Sequence, residues 1–357
     1  MTSRTDGLKR VKTALRKEAS MKATVFLVLS LAVFSGHFAI RDSAAATKVV
    51  IGYPTINSRI SPLWIAQERG YFSKYGLEPT LVFVRSTPLL MASLMSGGIP
   101  VAYGGGGGIL NASVGKSDLK ILATFTGKMT NSLVVRPGIK TAKDLRGKVL
   151  GVQSIGGTNW LGAMLWLEHL ELDPHRDNIL IQAIGDQTVR VQALEAGKID
   201  AAAVDTVFSK RLEEHGFRVL GDPRQSTIPF VGVDIVSTKT YIAAEPATVE
   251  NVIKALLESL AFILTPKNRA AVLEIIMRRL RIADPGPADE GYQDLLRNMS
   301  RKPYPADGGL RNLQRLTKSQ NPRVAEVKVE DLIDSRFIRK LDESGFIDRL
   351  YSASGSQ

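Results

Sequence analysis

Two segments one hundred residues apart carry the same pattern. SLMSGGIPVAYG (93–104) and ALEAGKIDAAAV (193–204) share Leu94/Leu194, Gly97/Gly197, Ile99/Ile199 and Ala102/Ala202, and KVV at 48–50 returns as KVL at 148–150 at the same offset. A supersecondary unit repeated in this way cannot settle into one arbitrary topology. It predicts two similar lobes built on the same strand–helix plan.

The rest of the chain reads in those terms. KVVIGY is a strand. SPLWIAQERGYFSKYG is a helix with Ser61 as N-cap, Pro62 at the first helical position and Gly70 or Gly76 as its stop. PTLVFV, VAY, LKILATF, SLVVR, GKVLGV, ILIQAI and DAAAV read as further strands. Between them TPLLMASLMSGG, NWLGAMLWLEHLEL, QTVRVQALEAGK and VFSKRLEEHG read as helices. Such alternation predicts an α/β protein with mainly parallel sheets, as two Rossmann-like lobes with two hinge crossings and a helical C-terminal segment. From Ala247 the pattern turns helical, and Val249, Val252, Ile253, Leu256, Leu257 and Leu260 form a core stripe. The expected layout is a leader over 1–46, one lobe from 47–135 plus 234–357, and the other from 139–228. The hinges fall at about 136–140 and 226–233.

The leader is read from MKATVFLVLSLAVFSGHFAIRDSAAA, which places a lysine before an apolar run and three alanines after it. That order is a secretory signal peptide with cleavage near Ala46; an uncleaved anchor is the alternative. Residues 1–20 are an extended basic region or precede a start at Met21. Export to the periplasm follows. The chain has no cysteine, so no disulfide holds the fold and no thiol is present to take a lipid. The net charge is +12, and residues 1–46 hold eight Lys/Arg against three Asp/Glu, which leaves +7 for the remainder. Those basic residues are scattered, as in EVKVEDLIDSRFIRKLDES, without a basic–aromatic stripe. A solvated surface follows, with no nucleic acid as partner and a sign compatible with an anionic ligand.

The site is sought at the carboxyl ends of the strands, where open α/β sheets bind ligands. Five consecutive glycines, Gly104 to Gly108, follow one such strand. Their spacing fits neither a P-loop, since Leu110 stands where the first glycine is required, nor a dinucleotide fingerprint. Gly104, Gly105, Gly106 and Gly107 are therefore expected to let a ligand lie against bare backbone. The second lobe offers Ser154, Gly156, Gly157 and Thr158, with Thr158 or Asn159 capping the next helix. Around them stand Thr55, Asn57, Ser58 and Ser61 after the first strand, and Arg85, Ser86 and Thr87 after the second. Asp205 is the repeat-mate of Gly105; it binds a ligand amine or hydroxyl, or else caps 206–213. Arg85 holds an anion or is solvated, and Trp64 and Trp160 are core or cleft wall. His37 lies in the leader, and His169, His175 and His215 lie on polar helix ends or loops. Neither H-E-x-x-H nor G-x-S-x-G occurs. No catalysis, cofactor or metal is expected.

GYPTINSRISPLWIAQERGYFSKYGLEPTLV, LMSGGIPVAYGG, KTAKDLRGKVLGVQSIGGT and QALEAGKIDAAAV resemble the nitrate/sulfonate/taurine-type substrate-binding proteins of bacterial ABC importers, over roughly residues 47–265. PLWIAQERGYF and DLRGKVLGV are the most specific pieces. The resemblance implies a type II periplasmic-binding-protein fold and a monomer that closes on a small organic or anionic solute in the cleft. Its partners would be an ABC permease and the permease's ATPase. Service to a sensor, or a thiamin-pyrimidine-related binding protein or enzyme, is the alternative. The enzymatic relative of this fold uses a cysteine-rich motif and a histidine, and this chain has no cysteine.

Overall fold

Strand β1 (Thr47–Tyr53) starts exposed and is buried from Val49 onward apart from the half-buried Val50 and Tyr53, then gives way to a 3-10 turn at Ser58–Ile60 and helix α1 (Ser61–Glu68). The computed structural model describes residues 45–114, 118–305 and 307–352; the leader reading falls on residues outside these. After a short helix α2 (Tyr71–Lys74) come β2 (Leu77–Phe83), α3 (Thr87–Met95), β3 (Val101–Tyr103), α4 (Ile109–Ser113) and β4 (Leu119–Lys128). The chain then runs through β5 (Ser132–Val135), β6 (Val149–Val152), α5 (Thr158–His169), β7 (Leu180–Ala183), α6 (Gln187–Glu195), β8 (Ala201–Val204), α7 (Thr206–Glu214) and β9 (Arg218–Gly221). Strand β10 (Pro229–Thr238) leads into α8 (Lys239–Ala244) and the C-terminal helices.

Two five-stranded sheets result, in the orders β2-β1-β3-β10-β4 and β7-β6-β8-β5-β9. The orders superpose, with β1 matching β6, β2 matching β7, β3 matching β8 and β10 matching β5. In each sheet the first three strands run parallel and the return strand, β10 or β5, runs antiparallel, so the sheets are mixed. The repeated residues have a packing reason. A Cβ on Gly52 of β1 would fall 3.0 Å from Ile99 Cδ1, and one on Gly151 of β6 would fall 2.5 Å from Ile199 Cδ1. Each lobe seats its conserved-offset isoleucine over a bare strand backbone.

Sheet membership moves the first crossing. Ser132–Val135 was expected in the first lobe with a crossing at 136–140, yet β5 pairs between β8 and β9 of the second sheet. The chain leaves the first sheet after Lys128, and the four β5 residues are all buried between β8 and β9. It returns between Gly221 and Pro229.

The stripe read in the C-terminal part lies in α9 (Pro246–Leu264), where Val249 to Leu260 of the stripe are at most 1% exposed. With α10 (Arg269–Leu280) and α11 (Pro285–Asn298) it covers one face of the first sheet. The other face shares a core with α5, Phe230, Val231 and α12 (Asp307–Thr317). Trp64 and Trp160 both prove to be core, at 3% and 2% exposure. Helix α13 (Arg336–Glu343) and α14 (Phe346–Ser352) finish the chain against the first core. No helix among the described residues is long and apolar enough to cross a membrane.

The five glycines divide into two jobs. Gly104 and Gly105 have φ of 96° and 85°, the left-handed region that side chains avoid. Gly107 has an ordinary φ but lies where the start of α5 presses on the turn. A Cβ there would sit 2.6 Å from Thr158 Oγ1 and 2.8 Å from Thr158 Cα. A helix backbone cannot swing aside as a side-chain tip can. Gly107→Ala is therefore expected to cost about 1–3 kcal/mol of stability in urea unfolding, as overpacking does. Unchanged stability would mean that the two sheet units do not meet here.

Candidate functional site

Strands β1, β3 and β6 lead into Pro54, Gly104 and Gln153, and these three carboxyl ends face one cavity of about 50 Å³ between the two sheets. The first crossing closes it with Thr130 and Asn131 on one side, and the start of β10 closes it with Phe230, Gly232 and Val233 on the other. At about 10–15 Å³ per water-sized sphere, the space takes a few waters or one small polyatomic ion.

Two guanidinium groups reach this cavity from opposite sheet units. Arg59, in the 3-10 turn after β1, is 4% exposed. Asn57 starts that turn by accepting from Arg59 N at 3.1 Å. Arg59 Nη1 donates to Thr130 O at 3.1 Å and to Asp294 Oδ2 of α11 at 3.3 Å, and the guanidinium makes no other hydrogen bond with the described residues. Burial pushes the Asp294 carboxyl up despite Arg59 and the Asn298 amide beside it. Arg59 thus spends one nitrogen on structure.

Arg190 of α6 is 3% exposed and has no ion pair among the described residues. Its Nη1 donates to Gly185 O at 2.5 Å and its Nη2 to Ala203 O at 3.3 Å, while Nε–H has no partner. Burial pulls its pKa down to about 10, against the nearby charges of Asp186 and Asp205. Gln187 and Thr158 line the same cavity. Gln187 accepts from Asp205 N through Oε1 at 2.8 Å, leaving its Nε2 without a partner, and Thr158 Oγ1 is likewise unpartnered. Buried N–H groups without acceptors are rare, and each costs about 1–3 kcal/mol. Several around one small space, beside a desolvated cation, form a receptor for an acceptor-rich anion.

Of the residues singled out from the sequence, Thr55, Asn57, Thr87, Gly104, Gly105, Thr158 and Asn159 line this cavity. The others stand elsewhere. Ser58 and Ser61 are buried behind the first loop, where Ser61 Oγ donates to Ser58 O; Ser61 is inside α1, and Asn57 does the capping. The Arg85 side chain is exposed, and only its carbonyl takes part, accepting from Gln153 Nε2 at 3.0 Å. Ser86 caps α3. Gly106 faces the Asp234 carboxyl and Gly107 faces Thr158, and neither lines this cavity. Ser154, Gly156 and Gly157 form the turn into α5, which starts from Gly157 without a side-chain cap. Asn159 instead bonds Gln153 N and Ala203 O. Asp205 is the N-cap of α7, with Oδ1 accepting from Phe208 N at 3.2 Å, and it is fully buried away from the cavity.

The sequence reading missed Arg59, Gln187 and Arg190. A signal for Arg190 was present: it is the repeat-mate of Leu90 and shares the buried stripe of Val191 and Leu194. His169, His175 and His215 are all exposed. Among the described residues no group of three or more His, Cys, Asp and Glu is placed to hold a metal ion.

The family model described as "NMT1/THI5 like" matches residues 57–270, which takes in α1, both glycine turns and Arg190. The chain belongs to the NMT1/THI5-like family. A Brucella abortus relative whose name describes it as a binding protein is 28% identical over 198 residues, 55% of this chain and 59% of its own length, so the match spans about three-fifths of that relative. NMT1/THI5-like residues here take a fold seen in solved binding proteins. The alkanesulfonate-binding protein SsuA from Xanthomonas axonopodis pv. citri, bound to MOPS, superposes with a TM-score of 0.65 at 19% identity, covering 82% of this chain and 99% of that one. The periplasmic nitrate-binding protein NrtA from Synechocystis PCC 6803 gives 0.65 at 14% identity, covering 84% and 89%. This NMT1/THI5-like chain therefore has the two-sheet α/β fold of the periplasmic binding proteins.

Proposed function

We propose that this protein is the solute-binding component of an ABC importer, exported to the periplasm, where its two sheet units close as lobes on a small oxyanion. The observation that carries the reading is the set of unpaired buried donors on Arg190, Gln187 and Thr158 around one cavity. Arg59 and Arg190 provide the positive charge. The backbone of Gly104 and Gly105 lets the anion approach without side chains in the way. Anions such as nitrate, bicarbonate or a sulfonate headgroup have the required chemistry: several acceptors, one negative charge and few heavy atoms. The Gln153 amide, donating to Pro54 O at 2.6 Å and to Arg85 O at 3.0 Å, ties the units together at the rim when they are closed.

The occupied, closed monomer is then the form that a permease and its ATPase receive. Binding and release of the solute involve no covalent step. Isothermal titration with nitrate, bicarbonate and methanesulfonate, against choline and glycine as cationic and zwitterionic controls, tests the reading. One-to-one binding of an oxyanion is expected. Binding of choline without binding of any oxyanion would overturn it.

A further inference from the structure

The largest cavity described is not the cleft. Between α5, the segment from Leu172 into β7, and α12 lies a space of about 610 Å³, within the range of sites that hold organic molecules. Its buried wall is apolar, with Met164, Leu172 and Ile179, and Leu316 stands half-buried at its rim. Ile155 and Leu180 stand at it with 45% and 60% exposure, large for such side chains.

The polar side chains on this wall are exposed to solvent, with one exception. Arg315 pairs with Glu168 at 2.9 Å across the gap between α12 and α5. Asp173 Oδ1 accepts from the His175 and Arg176 amides at 2.9 and 2.8 Å. Ser319 Oγ donates to Leu316 O at 2.9 Å. The exception is Trp160, whose side chain is 2% exposed and lines the cavity, and whose indole N–H has no partner. Buried tryptophan ordinarily finds an acceptor, and Trp166 in the same helix does so, donating to Asn131 O at 2.6 Å. The first turn of α5 thus gives Thr158 and Asn159 to the cleft and Trp160 to this second space.

We propose that the cavity between α5, β7 and α12 is a second small-molecule site, taking an uncharged molecule with an apolar body and a hydrogen-bond acceptor for the Trp160 indole. The class follows from what is left unpaired. The charged groups on the wall are exposed and already hydrated, the apolar wall favours rings or chains, and the buried spare donor selects an acceptor. The cleft, at about 50 Å³, has no room for such a molecule.

The test uses the whole exported chain and Prodan, an uncharged naphthalene ketone whose emission shifts to the blue in apolar surroundings. Saturable one-to-one binding is expected. Trp160→Phe keeps a ring and removes the N–H, and is expected to weaken Prodan about tenfold. Leu316→Trp fills the space from the half-buried rim of α12 and is expected to abolish binding, with the thermal melt and the oxyanion titration unchanged. Absence of saturable binding, or binding that survives Leu316→Trp, overturns the site. Loss in Leu316→Trp without any change in Trp160→Phe overturns the indole as its anchor. The cleft reading stands or falls separately, on the oxyanion titration.

Discussion

Arg190→Met is expected to weaken solute binding by roughly 30-fold to several thousand-fold, the 2–5 kcal/mol lost when one partner of a buried charged contact is truncated. The magnitude rests on where Arg190 stands. It is 3% exposed and makes no ion pair among the described residues, with Asp186 and Asp205 near it but not in contact. Arg59 already faces Asp294 at 3.3 Å. Stability should move much less than affinity. Methionine forfeits the bonds to Gly185 O and Ala203 O, yet it also removes a desolvated charge, and the two offset to within about 2 kcal/mol. Arg190→Lys keeps the charge without the fork and is expected to fall between the two. Titration of the variants alongside urea unfolding separates the effects. Full affinity in Arg190→Met would remove this residue from the site.

The second large effect is on stability and its pH dependence. Asp234 on β10 is fully buried behind the glycine turn. Thr124 Oγ1 donates to its Oδ1 at 2.6 Å, while Oδ2 has no partner and lies 2.5 Å from where a Gly106 Cβ would be. Burial pushes its pKa up to about 7, against the Thr124 hydrogen bond. The titratable group beside it, Tyr103, is itself pushed up by burial and by the Asp234 charge, and stays neutral. Between the unfolded value near 4 and the folded value near 7, the unfolded chain has released this proton and the folded chain still holds it. Stability therefore falls as pH rises through that window, by up to about 1.4 kcal/mol per pH unit, and levels off above it. Asp234→Asn removes the titration and still offers an oxygen to Thr124. The variant is expected to gain on the wild type steadily from pH 5 to pH 7. At pH 8 it should be more stable by about 1–3 kcal/mol, once the cost of an unpaired amide is taken off. A difference between variant and wild type that is the same at pH 5 and pH 8 would contradict this.

Much of the architecture was legible because it depends on neighbours close in sequence or on the hundred-residue offset. Ile99 and Ile199 pack over Gly52 and Gly151 in equivalent ways, so the repeat in the sequence is the repeat in the sheets. Strand β5 was misplaced because SLVV follows β4 closely and nothing local says that its partners are β8 and β9. The glycine run was legible as a special turn but not in its detail. Gly106 and Gly107 are bare because of Asp234 and Thr158, which approach from distant parts of the chain. Arg59 was overlooked for a like reason. Its orientation is set by Thr130 and by Asp294, 235 residues further on. Arg190 was different, since a charged residue at the repeat-mate of Leu90, on a stripe with Val191 and Leu194, already departs from the core pattern.

The central claim is that the unpaired donors around Arg190 hold a small oxyanion. Mass spectrometry of the molecules released when the purified protein is unfolded tests it most directly, because the protein then chooses its own ligand. One small oxyanion per chain is predicted from the wild type, and none from Arg190→Met. A cationic or uncharged molecule held one per chain in the cleft, and retained equally by Arg190→Met, would contradict the account.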